Sequence, residues 1–253
     1  MRLRSMLAAV AAVAALGAAP ALADTNNSGY IGVSAANFDD GDFDAQAYSL
    51  NGAVAFPLSG NWGAQLDAEY ARLENDADDS DTVSGTAHVF HRTDTHLIGV
   101  YVGANDTDEV TSYGGGVEGD LYRGDWTIGG RVSYATDDSD LDSDTWGGEA
   151  RAKYFYTDNF TVAGSLGVDR VSVDAPGFDD FNVVTVGVGS EYQFASAPVS
   201  VFGGVAYSDV EDADGTTGVQ IGLRYNWNGG SLRDRDRSGA SLQGFQSRLA
   251  GVL

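Results

Sequence analysis

Beyond residue 24 the chain alternates between apolar and other positions. Val219, Ile221, Leu223, Tyr225 and Trp227 interleave with Gly218, Gln220, Gly222, Arg224 and Asn226. Trp126, Ile128, Gly130, Val132 and Tyr134 alternate in the same way, as do Trp146, Gly148, Ala150, Ala152 and Tyr154. A period of two sustained over about ten residues is the pattern and length of a strand that crosses a membrane as part of a barrel. Twelve such segments fall near 28–36, 45–56, 62–73, 82–92, 95–104, 110–122, 126–135, 145–156, 160–172, 181–194, 198–207 and 217–227. Facing is ambiguous in the first and the fifth, where Ile98, Val100 and Val102 compete with Leu97, Gly99 and Tyr101. The expected fold class is all-β: a transmembrane antiparallel up-and-down β-barrel of 12 strands, or 10 if an ambiguous hairpin stays outside the membrane.

The connections carry a second period. Short ones (Leu58–Asn61, around Thr93–Asp94, Arg123–Asp125, Thr157–Asn159, Ala195–Ala197) alternate with long acidic ones. The long ones are Asn37–Asp44, Glu74–Thr82, Asn105–Glu109, Thr136–Asp144, Asp174–Asp180 and Asp209–Thr216. They hold 24 of the 37 Asp and Glu residues and no Lys or Arg. Short turns on one rim and long loops on the other are how such barrels are built. Aromatics flank both rims: Phe56, Trp62, Phe90, Tyr122, Trp126, Tyr156, Phe160 and Phe194 beside the turns, and Tyr48, Tyr70, Tyr113, Tyr134, Trp146, Phe181 and Tyr207 beside the loops. Two aromatic belts are what two membrane interfaces select.

If the apolar parity faces lipid, the other parity faces a lumen. It collects Asp67, Glu69, His88, Glu118, Asp120, Arg131, Glu149, Arg151, Lys153, Asp169, Glu191 and Arg224, all costly on a lipid face. The eleven permanently charged residues of this set are the expected pore lining. Small residues such as Ala47, Ser49, Gly114, Gly116, Ser133, Ser165, Gly187 and Gly204 leave space between them. Two outcomes are open: the charges pair across the lumen and close it, or acids and bases segregate around an aqueous path, a layout that also permits Glu118 and Arg131 to pair on adjacent strands. Acids on strands three and six and bases on seven and eight favour the second.

Charge and composition narrow the function. Fourteen Lys and Arg against 37 Asp and Glu leave a formal charge of −23, which argues against nucleic acid as a partner. There is no Cys, so neither a disulfide framework nor a thiolate metal site is available. Residues 1–23 read as a secretory signal peptide: Arg2 and Arg4, an apolar run from Met6 to Ala19, and the small-residue site Ala21-Leu22-Ala23. The acidic rim predicts a higher local concentration of cations than of anions, most marked in dilute salt.

Strand twelve holds Gln220-Ile221-Gly222-Leu223-Arg224-Tyr225-Asn226-Trp227. With Gln220, Gly222, Tyr225 and Trp227 in place, this segment is similar to the assembly signal that ends outer-membrane proteins of Gram-negative bacteria. Residues 24–227 thus resemble a small porin-like outer-membrane barrel. The resemblance implies Sec export through the periplasm, insertion by the barrel-assembly machinery, short turns facing the periplasm, and a surround of outer-membrane lipid and lipopolysaccharide. One departure stands out, because 26 residues follow Trp227.

That tail, 228–253, carries Arg233, Arg235, Arg237 and Arg248 against Asp234 and Asp236. Leu242, Phe245, Leu249 and Val252 stand at the spacing of a short helical face. It reads as a periplasmic tail, disordered or marginally helical. Docking into the barrel mouth or onto a partner is the other reading, and a net charge of only +2 argues against a plug.

Other motifs carry little. Asp140-Leu-Asp142-Ser-Asp144 lacks the Gly and Glu of a calcium loop, and Asp212-Ala-Asp214-Gly215 is a fragment of one. Gly114–Gly119 matches G-x-G-x-x-G inside a strand pattern, without the helix a phosphate cradle requires. Arg123-Gly124-Asp125 sits in a short turn. His88, His91 and His96 cluster at the turn rim, and Ser84, four residues before His88 on the same face, is about 13 Å away at strand rise. No enzyme and no cofactor are expected. The expected function is passive diffusion of small hydrophilic solutes with a weak preference for cations; the alternative is a closed barrel serving adhesion or envelope integrity. The mass of protein purified from membranes should correspond to a chain starting at Asp24, and a product retaining residues 1–23 would contradict the signal peptide.

Overall fold

The computed structural model describes residues 27–245, except 42–43, 76–78, 108–109, 139–142, 174–178 and 212. The expected signal peptide, the core of the Asp140–Asp144 motif, Asp212, Arg248, Leu249 and Val252 lie outside the described residues. The chain forms β1 (Ser28–Asp39), β2 (Asp44–Pro57), β3 (Trp62–Asn75), β4 (Asp79–Arg92), β5 (His96–Thr107) and β6 (Thr111–Arg123). It continues through β7 (Trp126–Asp137), β8 (Ser143–Thr157), β9 (Phe160–Val173), β10 (Phe181–Gln193), β11 (Val199–Val210) and β12 (Thr216–Trp227), and then a short helix α1 (Leu232–Ser238). Each strand pairs antiparallel with its sequence neighbours, and β12 pairs with β1, so the sheet closes as a twelve-stranded barrel. The ten-strand alternative is excluded by that closure.

The outer wall is apolar. Val33, Leu66, Val100, Val132, Leu166, Val186 and Ile221 are all exposed, an arrangement suited to lipid rather than water. The two ambiguous strands resolve on this criterion. In β5, Ile98, Val100 and Val102 face out at 64%, 55% and 66% exposure, while Leu97 and Tyr101 are buried inside. In β1, Val33 faces out and Tyr30 faces in, its ring beneath the Arg224 guanidinium at 4.8 Å.

Two expectations are corrected. Phe90 and Tyr122 do not join the aromatic belt; both are 4% exposed and cluster inside the barrel with Leu97 and Leu242. Pairing register places them on the inward parity, where a tail residue covers them. The acidic connections are also shorter than composition suggests. Glu74, Asp79, Asp81, Asp137, Asp144 and Asp209 belong to strands that run on beyond the apolar band. There Arg72 bridges Glu74, Asp79 and Asp81 across the β3–β4 ladder. Both faces of such an extension meet water, so no apolar alternation marks it as strand.

Closure depends on a glycine. Gly29 pairs with Trp227 at the β1–β12 seam, and the indole lies across the outer face of β1 against Val54 and Ile31. A Cβ on Gly29 would fall 2.3 Å from the indole and 2.3 Å from the Ala53 carbonyl. Gly29→Val should therefore destabilise the barrel by roughly 1–3 kcal/mol, as overpacking does, and shift the heat-modifiable transition on SDS gels to lower temperature. An unchanged transition would contradict the seam packing.

Candidate functional site in the barrel lumen

Of the eleven residues expected to line a pore, Glu118, Asp120, Arg131, Arg151, Asp169, Glu191 and Arg224 are buried inside the barrel, as is His88; Asp67, Glu149 and Lys153 form ion pairs there and Glu69 borders an inner cavity. The lumen at the short-turn rim also carries large apolar side chains: Phe90, Leu97, Tyr122, Phe155 and Phe202, each at most 4% exposed. An apolar collar inside a water-facing barrel needs a cover, and the C-terminal segment supplies it.

After Trp227 the backbone turns back on itself. Asn228 and Gly230 adopt positive φ angles of 53° and 67°, and Asn228 Nδ2 donates to the Asn27 carbonyl at 3.0 Å. Positive φ is cheap at Gly and tolerated at Asn. Ser231 then caps α1: its Oγ accepts from the Asp234 amide at 3.1 Å, and the Asp234 carboxylate accepts from the Ser231 amide at 3.0 Å. Those bonds hold the Asp234 carboxyl below the usual range of an Asp. The cap is intact above the ordinary Asp pKa and weakens as pH falls through the lowered value.

Helix α1 sits in the mouth of the barrel, tied to the arc of wall that runs from the β6–β7 turn to β10. Arg233 reaches Asp125 at 2.8 Å and Asp158 at 3.2 Å, both in short turns. Arg235 pairs with Glu191 at 2.6 Å, Asp236 accepts from Thr127 at 2.6 Å, and Lys153 lies 3.3 Å from Asp236. Arg237 donates to the carbonyls of Gly124 and Trp126 and stacks over Tyr122. The Arg-Gly-Asp turn thus holds the tail through its carbonyl and its carboxylate.

From Gly239 the chain runs up the lumen without helix. Leu242, 2% exposed, inserts among Phe90, Leu97 and Tyr122, and Ala240 packs against Ala53 and Ala55. Gln65 accepts from the Ser241 and Leu242 amides at 3.0 and 3.2 Å and donates to the Leu242 carbonyl at 2.9 Å. Arg92 donates to the Gly239 carbonyl, Arg131 to that of Gly244, and Thr86 Oγ1 accepts from the Phe245 amide. Small cavities of about 60 and 30 Å³ flank the segment. The tail is expected to lie in the periplasm, yet its described part, residues 228–245, occupies the mouth and lumen of the barrel. Its helix precedes the expected apolar face, because Gly239 ends the helix before Leu242 and Phe245.

The wall charges pair more locally than segregated acids and bases would. Arg131 binds Glu149 at 3.0 Å, and Arg151 crosses β7 to Asp120 on β6 at 2.9 Å. Glu191 holds both Arg224 and Arg235. Glu118 faces Arg131 in register yet bonds His88 Nδ1 at 2.7 Å, with His88 Nε2 3.0 Å from Asp67. Both ring nitrogens of His88 thus meet carboxylates rather than Ser84. Glu69 and Asp67 border the larger cavity, and Asp169 is buried in the wall. Among the described residues no group of three or more His, Asp or Glu is arranged to hold a metal ion. Sequence reasoning missed Gln65, Thr86, Arg92 and Thr127 as tail contacts; the available signal was the run of large apolar residues at inward parity beside the short turns.

No protein-family model matches this chain, and no curated protein matches it. Solved structures do. The NanC porin superposes with a TM-score of 0.59 at 13% identity, covering 77% of this chain and 98% of its own. The KdgM porin in complex with disordered oligogalacturonate gives 0.54 at 11% identity, covering 78% of this chain and 98% of that one. The translocator domain of the autotransporter NalP from Neisseria meningitidis gives 0.51 at 17% identity, covering 85% and 96%. At such identities the likeness is one of fold.

Leu242→Ala should cost the docked tail about 2–5 kcal/mol. Trypsin would then cut after Arg233, Arg235 and Arg237 faster than in the parent chain. Equal cleavage rates would contradict the burial of Leu242.

Proposed function

We propose that this protein is a porin-like channel of the Gram-negative outer membrane for small hydrophilic solutes, shut in the described conformation by its own C-terminal segment. The observation that carries this reading is that the wall does not fill its own lumen. Eight-stranded barrels are packed by their side chains, and lumen width grows with strand number. Here the inward positions nearer the long-loop rim are mostly small or polar, among them Ser34, Ser49, Gly114, Ser133 and Gly187, while a separate segment closes the other end. Barrel size, the apolar outer wall and the signal-like Gln220–Trp227 segment support placement in an outer membrane after Sec export, with the short turns in the periplasm. Lipopolysaccharide and the barrel-assembly machinery are then its partners in the envelope.

Cation preference rests on the long-loop rim. Asp39, Asp40, Asp44, Asp138, Asp144, Asp180, Asp209 and Glu211 gather there. The basic residues near them are Arg72, in ion pairs with three carboxylates, and Arg170, 2.9 Å from Asp180. The negative potential at this mouth enriches cations and fades as salt rises. The second reading, a permanently closed structural or adhesive barrel, draws support from the buried pairing of Arg235 with Glu191, since breaking such a pair costs about 3–5 kcal/mol.

Planar-bilayer recordings separate the two. The parent chain should be mostly silent, whereas Leu242→Asp should give discrete ohmic steps with a cation-directed reversal potential in a KCl gradient. Silence from folded Leu242→Asp would favour the closed barrel. Converting Asp137, Asp138, Asp140, Asp142 and Asp144 to Asn in that background should lower the cation preference, most visibly in dilute salt; unchanged selectivity would move the filter into the lumen.

A further inference from the structure

The contacts that hold residues 239–245 fall chiefly on the backbone. Gln65 presents one primary amide to both the N–H and the C=O of Leu242, as a neighbouring strand would. Arg92 and Arg131 take carbonyls, and Thr86 takes an amide. The side chains of the segment are read at fewer polar points: Arg92 on Ser241 Oγ and Arg151 on Gln243 Oε1, beside the apolar pocket around Leu242 and the packing of Ala240 on Ala53 and Ala55 and of Phe245 by Gly103. Backbone hydrogen bonds for affinity and one pocket for selectivity is the logic by which proteins bind extended peptides of varied sequence. Gln65 is fully buried beneath the segment, and the peptide backbone of Leu242 meets its amide with both a donor and an acceptor.

We propose that the lumen wall around Gln65 is a binding site for extended peptides carrying a leucine-sized apolar residue, and that the C-terminal segment is its resident occupant. Short peptides are then the solute class of the channel. That last step rests on the channel reading, whereas the binding site does not. A passing peptide competes with the tail for the same donors and acceptors, so occupancy of the site and opening of the lumen are coupled.

The test uses the full chain with its tail dislodged by Arg235→Glu and Leu242→Asp, leaving every wall residue intact. Heat-modifiable migration verifies folding, and trypsin cleavage at Arg233 and Arg237 verifies release. If that variant does not fold, Arg235→Gln with Leu242→Ala is the milder substitute. Three fluorescein-labelled peptides are titrated by anisotropy: the sequence of residues 231–245, the same peptide with alanine in place of Ser241, Gln243 and Phe245, and the first peptide with Asp in place of Leu242. The first two should saturate with affinities within about threefold of each other, and the third should bind at least about tenfold more weakly. Gln65→Ala in the wall should weaken the first two by roughly tenfold, as loss of a buried hydrogen-bonding partner does. A neutral glucose hexamer should not compete. Binding restricted to the tail's own sequence, binding indifferent to Gln65→Ala, or no binding to a folded barrel with its tail released would each overturn the proposal. Saturable binding without conductance would support the peptide site and sink the channel reading; conductance without binding would do the reverse.

Discussion

A closed sheet of twelve strands encloses more volume than its inward side chains occupy, and this constraint shapes the rest of the molecule. The wall answers it in two ways. Toward the long-loop rim the inward positions are mostly small or polar, among them Ser34, Ser49, Gly114 and Ser133. Toward the short-turn rim, Phe90, Leu97, Tyr122 and Phe155 build an apolar collar that water would not wet favourably, and the chain beyond Trp227 folds back to cover it. The apolar anchor of the tail is Leu242, and its polar anchors are arginines that meet carboxylates on the β6–β7 and β8–β9 turns and on β10.

The tail also completes the electrostatics of the wall. Glu191 would keep Arg224 and the Ser200 hydroxyl without it, and the docked state adds the Arg235 guanidinium to that buried carboxylate. Asp236 similarly gives Lys153 and Thr127 a partner. These contacts hold the segment in one register. A covalent extension of the barrel thus occupies the short-turn end of the lumen while the barrel itself closes through β1 and β12.

Much of this architecture was legible in the sequence. Period-two alternation located all twelve strands, since lipid on one side and water on the other impose a chemistry on every second residue. It failed where that contrast vanishes: at the acidic strand extensions, which meet water on both faces, and in β5, where Leu97 and Tyr101 are apolar yet face inward. The inward charges were readable from parity, but their partners were not, because a strand pattern does not say whether Arg131 leans toward Glu118 or Glu149. The tail was the least legible part. Its contacts with Gln65 span 176 and 177 residues, and the apparent helical spacing of Leu242 and Phe245 concealed a Gly239 that ends the helix before either. A net charge is a poor guide to docking when individual arginines find individual carboxylates.

The most direct test is disulfide trapping, which the absence of native cysteine makes clean. Ala240→Cys would be combined in turn with Ala53→Cys, Ala55→Cys and, as a control, Val54→Cys, whose side chain faces outward under Trp227. Ala240 packs against Ala53 and Ala55 inside the barrel. Oxidation in intact outer membranes should therefore join the thiol introduced by Ala240→Cys to at least one of the two inward positions and not to the outward one, protecting the tail from trypsin until reductant is added. Failure of both inward pairs to cross-link in a folded barrel, or equal cross-linking to the outward control, would contradict a tail lodged in the lumen.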